Sequence, residues 1–318
     1  MLNVGVVGCG HLGKIHVKLL SQSENYSLVG IYDKNIELSK SISKDLKCNY
    51  FKSFDELLDS IDVLNIVTPT PFHFDYARKA ITQKKHVFIE KPVCTSITES
   101  AELISLSVSN NIKIQVGHVE RFNPAFTKVE KEIKTPMFIE SHRLAKFNPR
   151  GTDVSVVLDL MIHDIDIILK TVKSNIKEIS SSGVSVISET PDIANARIEF
   201  ENGCVANLTA SRVSLKNMRK TRFFQSGKYI SIDFLKRESE IVEIDNNIDD
   251  IPIMTLELDN GKKKKIYFKK PLIDENNAIL DELDSFAYSI LENKTPKVDI
   301  TDGHKALDVA LKIIANFK

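Results

Sequence analysis

The chain has 318 residues, of which 42% are hydrophobic and 27% are charged, a composition typical of a globular protein of about two domains. Its 43 basic residues balance 43 acidic ones, so the overall charge does not indicate a nucleic-acid or membrane partner. The four cysteines are scattered without C-x-x-C spacing, which argues against structural zinc or a disulfide framework and favours a reducing cytoplasm.

The first predicted element is an apolar strand, residues 2–7, which leads directly into Gly8-Cys9-Gly10-His11-Leu12-Gly13. A helical pattern follows, and a second strand, residues 27–32, ends at Asp33. This order of strand, G-x-G-x-x-G turn, helix, strand and acidic residue is the dinucleotide-binding fingerprint. The alternative is a βαβ unit that binds no nucleotide. The early strand leaves no room for a signal peptide, and no apolar run reaches the ~20 residues of a membrane span.

Each residue of the fingerprint has a mechanical role. Gly8 permits the tight turn, Gly10 lets the backbone approach a pyrophosphate, and Gly13 lets the helix pack close to the strand. Asp33 can accept hydrogen bonds from both ribose hydroxyls and would repel a 2′-phosphate, so NAD is expected rather than NADP; Lys34 softens that preference. The residues assigned to the cofactor in this region are Gly8, Gly10, His11, Leu12, Gly13 and Asp33.

Strand and helix patterns alternate up to about residue 120. Helices are predicted over residues 37–46, 56–60, 74–83 and 98–109, and strands over residues 48–51, 63–67, 87–90 and 112–117. Such alternation predicts a doubly wound parallel sheet, a Rossmann domain of residues 1–120.

The pattern changes in residues 121–318, which we expect to form an α+β domain with a mostly antiparallel sheet. Strands are predicted over residues 138–141, 184–187, 194–200, 205–208, 229–232 and 266–268. A long helix over residues 155–171 interrupts them, and helices over 277–291 and 303–317 close the chain. The lysine run at 262–265 follows Asn260-Gly261, a hairpin signature, and is interpreted as a solvated turn and edge strand rather than a basic binding patch.

Two strands of the first domain end in residues suited to a nucleotide site, because ligands of open α/β sheets bind beyond the carboxyl ends of the strands. One leads into Thr68-Pro69-Thr70-Pro71-Phe72-His73, and the other into Glu90-Lys91-Pro92. Lys91 would stand beside the nicotinamide as an acid/base or a donor to a reacting hydroxyl. The alternatives are an ordinary proline-rich turn and a surface lysine. The residues that join the cofactor set are Thr68, Pro69, His73, Glu90 and Lys91.

The helix predicted over residues 155–171 is apolar apart from one polar line. At about 100° per residue, a narrow stripe contains Ser155, Asp159, His163, Asp166 and Lys170. We expect this stripe to face solvent or a wet cleft. Asp159 and His163 are four residues apart and can hydrogen bond, which fixes the imidazole tautomer and raises its basicity. The alternative is a histidine satisfied in a core; no metal is predicted, since the pair supplies too few ligands.

Together, these motifs resemble the Gfo/Idh/MocA family of oxidoreductases over essentially the whole chain. The residues that carry the resemblance are Gly8 to Gly13, Thr68-Pro69 with His73, Glu90-Lys91-Pro92, and Asp159-x-x-x-His163. The resemblance implies an open-faced sheet used for substrate binding and for association into a homodimer or homotetramer. It also implies a cis Lys91–Pro92 bond, and a catalytic group of Lys91, Asp159 and His163 that converges at the nicotinamide.

A narrower resemblance rests on residues 117–124, Gly-His-Val-Glu-Arg-Phe-Asn-Pro, and on residues 150–154, Arg-Gly-Thr-Asp-Val. These segments are similar to a branch that oxidises the 3-hydroxyl of UDP-N-acetyl-hexosamines. Many family members have a glycine-rich run where this chain has residues 154–158, Val-Ser-Val-Val-Leu, which argues against a simple inositol or glucose substrate. Guanidinium groups suit a diphosphate. The basic residues expected near the cleft are Arg121, His142, Arg143, Arg150 and Arg212. The substrate-binding candidates are Lys91, Arg121, Asn123, Arg150, Asp159 and His163.

We therefore expect an NAD-dependent dehydrogenase that oxidises a sugar hydroxyl to a ketone. His163 removes the hydroxyl proton, Asp159 orients His163, and Lys91 stabilises the developing negative charge, although Lys91 could instead be the base. The alternatives are a non-catalytic regulator that binds NAD and a metabolite, a dehydrogenase of inositol or another sugar, and a glycosidase that uses tightly held NAD. The sugar, the oxidised carbon and the oligomer size stay open.

Overall fold

A parallel sheet of five strands forms the N-terminal part of the computed structural model, which describes residues 1–148, 154–244 and 251–317. The strands are β1 Leu2–Val7, β2 Tyr26–Tyr32, β3 Val63–Ile66, β4 His86–Glu90 and β5 Ile114–Gly117. They lie in the order β2-β1-β3-β4-β5, and neighbouring strands are parallel. Their carboxyl ends therefore share one edge of the sheet, where the predicted cofactor residues lie.

Several helices begin at a side-chain cap, which satisfies backbone N–H groups that the helix leaves free. The helices of the described residues are α1 His11–Leu20, α2 Ile36–Leu46, α3 Phe54–Asp59, α4 His73–Thr82, α5 Ile97–Asn110, α6 Pro124–Val129, α7 Ile162–Thr171, α8 Ala278–Leu291 and α9 Ile300–Ala315. Asn35 caps α2, Ser53 caps α3, and Ser96 forms a capping box with Glu99 at α5. A cap of this kind stabilises a helix by about 1 kcal/mol. None of these helices is long and apolar enough to cross a membrane.

The chain divides into two units. The first comprises Met1–Val119 and Asn277–Asp308, and the second comprises Glu120–Asn276 and Val309–Lys318. The first division falls at the boundary predicted near residue 120. The segment from 277 to 308 differs from the prediction, which assigned it to the second domain.

Helix α8 belongs to the first unit because its apolar face packs on the parallel sheet. Phe286 lies against Phe88 of β4, with 6.4 Å between the ring centroids. The hydroxyl of Tyr26 donates a hydrogen bond of 2.9 Å to the carbonyl of Leu283. The sequence predicted a helix over residues 277–291, but a helical pattern does not specify which segment covers the apolar face of the helix.

A sheet of nine described strands forms most of the second unit. The strands are β6 Phe138–Leu144, β7 Ile176–Val184, β8 Ile193–Phe200, β9 Val205–Ser211, β10 Met218–Gln225, β11 Lys228–Asp233, β12 Glu238–Ile244, β13 Met254–Glu257 and β14 Lys263–Lys269. Their order is β13-β14-β12-β11-β10-β6-β9-β8-β7, with β6 and β9 parallel and the other pairs antiparallel. The predicted fold class, a Rossmann sheet followed by a large mostly antiparallel sheet, is confirmed.

Two predicted strands are wrong. The strand expected over residues 184–187 is a loop beyond Val184, because the Asp192 carboxylate accepts backbone hydrogen bonds of 2.7–2.9 Å from three successive residues, Val186, Ile187 and Ser188. Burial alone would raise the pKa of Asp192, but these hydrogen bonds hold it well below its usual range. The strand expected over 48–51 is reduced to one bridge between Ile31 and Tyr50.

Candidate active site

The turn between β1 and α1 has the backbone that a pyrophosphate requires. Gly8 has a φ of +96°, a conformation that side chains with a Cβ rarely adopt. A Cβ on Gly13 would overlap the carbonyl oxygen of Gly8, so the start of α1 packs tightly against the turn. A Cβ on Gly10 would instead meet nothing within 4 Å. Gly8 and Gly13 are thus needed for the packing of the protein itself, whereas Gly10 leaves open space for a ligand.

Asp33 follows β2 and is tied to the glycine turn. Its Oδ2 accepts a hydrogen bond of 2.8 Å from the N–H of Cys9, and its Oδ1 accepts one of 2.9 Å from the N–H of Asn35. Next to it, the Lys34 ammonium lies 4.1 Å from the ring centroid of Phe72. The carboxylate is therefore held where a dinucleotide-binding fold presents its acidic residue to the ribose.

A cavity of about 580 Å³ opens at this edge of the parallel sheet. It is lined by Val7, Gly8, Gly10, His11, Leu12, Asp33, Lys34, Leu38, Val67, Thr68, Pro69, Phe72, Tyr76, Glu90 and Lys91. Most of the predicted cofactor residues are in this set, and Gly13 lies behind it against Gly8. The open approach at Gly10, the start of α1 and the fixed carboxylate of Asp33 fit an adenine dinucleotide.

Like Gly13, His73 is a predicted cofactor residue that does not line the cavity. Its side chain is buried, with Nδ1 2.9 Å from the carbonyl oxygen of Pro92 and Nε2 2.8 Å from that of Thr68. Burial lowers the pKa of the imidazole, against the opposing effect of the two carbonyl groups. His73 thus joins the loop after β3 to the loop after β4, and a direct contact of His73 with the cofactor stays a prediction. The cis Lys91–Pro92 bond is confirmed.

Glu90 is the last residue of β4 and Lys91 begins the turn that follows, where the Glu90 carboxylate contacts the backbone. Its Oε2 accepts a hydrogen bond of 3.1 Å from the N–H of Lys91, and its Oε1 lies 3.2 Å from Nε2 of His16 on α1. Burial alone would raise the pKa of Glu90, but His16 and Lys91 lower it overall. The sequence analysis did not single out His16. The available signal was a histidine on the apolar face of the helix that follows the glycine turn.

In the second unit, the segment predicted as one helix begins with a π-helical turn, Val157–Met161, before α7. The hydroxyl of Ser155 accepts a hydrogen bond of 3.2 Å from the N–H of Val157. Asp159 lies within this π-helical turn, and His163 is the second residue of α7. The 100° spacing that defined the polar stripe therefore does not hold across them. Single π-helical turns are frequent at functional sites.

The polar stripe is also interrupted by buried ion pairs. Asp166, expected to face solvent or a cleft, is buried and accepts two hydrogen bonds from Arg121, from Nε at 2.6 Å and from Nη2 at 2.8 Å. Asp164 is likewise buried and accepts two from Arg143, which also donates to Glu120 at 2.9 Å. These pairs join α7 to β6 and to the segment that follows β5. Asp166 is therefore the member of the predicted stripe that does not face solvent or a wet cleft, while Asp164 lies outside the stripe.

The described arginines that were expected near a diphosphate also donate hydrogen bonds to carboxylates within the protein. Arg121 and Arg143 hold α7, while Arg212 donates to Asp192 at 2.9 Å and to the carbonyl of Val154 at 2.7 Å. Each of these three arginines therefore has a carboxylate partner within the protein, and their use as a diphosphate site stays a prediction. Arg150 lies outside the described residues.

Asn123 caps α6 rather than standing open to a ligand. Its Oδ1 accepts a hydrogen bond from the N–H of Ala125, and its Nδ2 donates to Glu120 and to the carbonyl of Phe234. Substrate contact by Asn123 or Arg121 stays a prediction, and it would require these side chains to give up contacts within the protein.

Comparison with known proteins finds oxidoreductase family models that match both the N-terminal and the C-terminal part of the chain. Residues 2–118 match the model of an oxidoreductase family with an NAD-binding Rossmann fold, and residues 131–230 match that of the GFO/IDH/MocA C-terminal domain. The chain is 35% identical to UDP-N-acetylglucosamine 3-dehydrogenase of Acidithiobacillus ferrooxidans over 241 residues, 76% of each chain. It is 28% identical to scyllo-inositol 2-dehydrogenase (NAD(+)) of Bacillus subtilis over 228 residues, covering 66% of this chain and 67% of the relative.

Solved structures extend the likeness to the whole chain. A structure of the Acidithiobacillus ferrooxidans UDP-N-acetylglucosamine 3-dehydrogenase matches with a TM-score of 0.90 and 30% identity, covering 99% of this chain and 97% of the other. The scyllo-inositol dehydrogenase of Lactobacillus casei with bound NAD(H) and scyllo-inositol shares the fold, with a TM-score of 0.79, 22% identity, and coverage of 100% and 97%. With a glycine turn, a fixed Asp33 and a cavity that reaches Lys91, this chain belongs to the Gfo/Idh/MocA family of NAD-binding oxidoreductases.

Proposed function

We propose that the protein is an NAD-dependent dehydrogenase that oxidises the 3-hydroxyl of a UDP-N-acetyl-hexosamine, with UDP-N-acetylglucosamine as the first substrate to test. The observation that carries the proposal is Lys91 in the wall of the cavity that begins at the glycine turn. An amine there suits an alcohol that reacts beside a nicotinamide. The choice of sugar rests on the likeness to the Acidithiobacillus enzyme.

The cofactor is proposed to lie along the cavity. Gly8, Gly10 and the N–H groups at the start of α1 would hold the pyrophosphate, and Asp33 would hold the ribose of the adenosine. NAD is preferred to NADP because a 2′-phosphate would meet the Asp33 carboxylate. When bound, NAD⁺ supplies the acceptor for the hydride that leaves the sugar carbon.

The remaining steps belong to three side chains. The imidazole of His163 accepts the proton of the reacting hydroxyl, and the Asp159 carboxylate orients that ring. The ammonium of Lys91 donates a hydrogen bond to the same oxygen and stabilises the negative charge that develops there. In the alternative assignment Lys91 takes the proton and His163 donates the hydrogen bond.

The assay is to incubate the protein with NAD and UDP-N-acetylglucosamine and to follow NADH absorbance. Because the keto product is expected to be unfavourable at equilibrium, the mixture is also reduced with borodeuteride, and mass spectrometry with NMR locates the deuterium. We expect deuterium at carbon 3. Deuterium at another carbon would change the assigned hydroxyl, and none with any nucleotide sugar would refute the proposal.

A variant separates the two assignments of the base. His163→Asn keeps hydrogen-bonding capacity but cannot accept the proton, and we expect kcat to fall about 10²–10⁴-fold with unchanged NADH affinity. Steady-state kinetics and NADH fluorescence titration measure the two quantities. Full turnover by His163→Asn would remove histidine from the role of base and leave it to Lys91.

Inositol dehydrogenases among the relatives supply a second candidate function. The same assay with scyllo-inositol and myo-inositol distinguishes it, since NADH would form with an inositol and not with a nucleotide sugar. Binding of NADH without turnover of any of these compounds would favour the regulator, and release of a free sugar would favour the glycosidase. A cytoplasmic location stays a prediction.

We also propose that copies of the chain associate through the nine-stranded sheet. Phe138, Phe224 and Tyr229 lie side by side on three adjacent strands, with ring centroids 5.9 and 5.1 Å apart. The strand register extends this row to Val205 on one side and to Val242 and Phe268 on the other. Phe224 is 37% exposed and Phe268 is 44% exposed. An apolar row of this length favours a homodimer or homotetramer in which another copy covers it.

A further inference from the structure

A histidine lies buried beneath the cofactor cavity. His16, on the first helix after the glycine turn, has an exposed fraction of 0%. Its ring lies 5.7 Å from the ring of Phe88, between centroids, and its Nε2 lies 3.2 Å from Oε1 of Glu90. A buried polar ring requires a polar partner, and the Glu90 carboxylate lies within ion-pair distance of Nε2.

The carboxylate of Glu90 is held from three directions. His16 faces Oε1, and the N–H of Lys91 donates to Oε2 at 3.1 Å. On the neighbouring strand β5, Gly117 leaves just enough room, because a Cβ there would lie 2.9 Å from the carboxyl carbon. The side chain of Glu90 is only 11% exposed. Its orientation is therefore set by these neighbours and not by water.

We propose that His16 is a positioning residue for Lys91 and that it acts through Glu90. His16 fixes the Glu90 carboxylate, and that carboxylate fixes the backbone from which the Lys91 side chain extends into the cavity wall. The importance of Lys91 for turnover rests on the proposed function. The contacts among His16, Glu90 and Lys91 are independent of the proposed function.

The charge of Glu90 makes the arrangement sensitive to pH. The titratable groups around Glu90 are His16 on α1, Lys91 in the following turn and His73 on α4. Burial alone would favour the neutral form of Glu90, but His16 and Lys91 lower its pKa overall. The Glu90 carboxylate therefore stays ionised at a pH where an ordinary glutamate begins to take up a proton. His16 is one of the groups that lower the pKa of Glu90, so without His16 that pKa rises and the carboxylate is protonated at a higher pH.

The test is His16→Gln, which retains an N–H donor but cannot carry a positive charge. The pH dependence of the NADH dissociation constant is measured by fluorescence, and that of kcat/KM is measured with NAD and UDP-N-acetylglucosamine. At high pH we expect the NADH affinity of the variant to match that of the wild type within about twofold. The acid limb of both profiles should move to higher pH by about one unit or more.

Two further variants make the result specific. In Glu90→Gln this acid limb should disappear, and His16→Gln should add no further shift in that background. His86→Asn is the matched control, because His86 begins the same strand and its Nδ1 accepts a hydrogen bond of 3.1 Å from the N–H of Lys113, which an asparagine oxygen can also accept. We expect its profiles to match those of the wild type.

An acid limb that coincides in His16→Gln and the wild type would overturn the proposal, as would a shift that persists in the Glu90→Gln background. If His16→Gln does not fold, the proposal is tested with Glu90→Gln alone. An acid limb in that variant that is unchanged from the wild type would contradict the role of the Glu90 carboxylate. If the wild type gives neither NADH nor deuterium incorporation with any nucleotide sugar, the proposed function fails, and the NADH titrations still decide the role of His16.

Discussion

At the scale of single residues, the three glycines of the first turn meet different demands. Gly8 and Gly13 are constrained by the neighbouring backbone of the protein, while a Cβ on Gly10 would enter open space. The same motif therefore contains positions required for folding and a position required for the ligand. Substitution by alanine separates the two.

We expect Gly10→Ala to fold like the wild type and to bind NADH at least about tenfold more weakly, because the added methyl group occupies the space that a pyrophosphate needs. Gly13→Ala should instead lower the free energy of unfolding by about 1–3 kcal/mol or more, because its Cβ overlaps the carbonyl of Gly8. Urea unfolding and NADH fluorescence measure both effects. Wild-type NADH affinity in Gly10→Ala would contradict the placement of the pyrophosphate at this turn.

Motif spacing predicted most residues of the cavity wall, because the carboxyl ends of parallel strands meet at one edge of the sheet. Spacing did not distinguish residues that line the cavity from residues that support it. His73 was predicted as a cofactor contact and its side chain joins two loops, and His16 was not predicted at all. Both roles depend on partners far away in sequence.

At the scale of elements, α7 is held by two buried ion pairs and preceded by a π-helical turn. Asp166 pairs with Arg121, and Asp164 pairs with Arg143. The sequence showed acidic residues on an apolar helix, which are compatible with either a wet cleft or buried partners. Only the packing of β6 and the segment after β5 against α7 selects the buried arrangement.

Removing one partner of such a pair leaves an uncompensated buried charge. We expect Arg121→Met to lower the free energy of unfolding by about 3–5 kcal/mol, since Arg121 is only 1% exposed and donates twice to Asp166. The double variant Arg121→Met, Asp166→Leu should recover much of the loss, because no lone charge remains. Urea unfolding monitored by circular dichroism provides the values.

The matched control is Lys294→Met, which breaks an exposed ion pair with Glu292 in the turn after α8. A solvated pair contributes about 0–1 kcal/mol, so this variant should unfold almost like the wild type. A loss in Arg121→Met as small as that in Lys294→Met would contradict the structural role of the buried pair.

At the scale of the whole molecule, the apolar row on the nine-stranded sheet is the surface through which we propose that copies associate. Phe224 stands at its centre, in contact with Phe138 and Tyr229. We expect Phe224→Glu to convert the oligomer to monomer, because a charge buried between two copies has no partner. Sedimentation velocity measures the mass of each species.

Leu215→Glu is the control for this prediction. Leu215 is 93% exposed and lies in the loop before β10, away from the row of side chains on the sheet. The variant should sediment like the wild type. A monomeric wild type, or an oligomer that survives Phe224→Glu, would refute association through this face.

By itself, the sequence determined the fold class and the cofactor turn, because both depend on local features: alternating strand and helix patterns, glycines at fixed spacing, and an acidic residue after the second strand. It also determined which residues end each parallel strand. Tertiary structure alone decided that α8 joins the first unit, that Asp164 and Asp166 are buried by arginines, and that His16 lies beneath the Glu90–Lys91 turn. These outcomes depend on which distant segment covers a given face, and a local pattern specifies the face without specifying its partner.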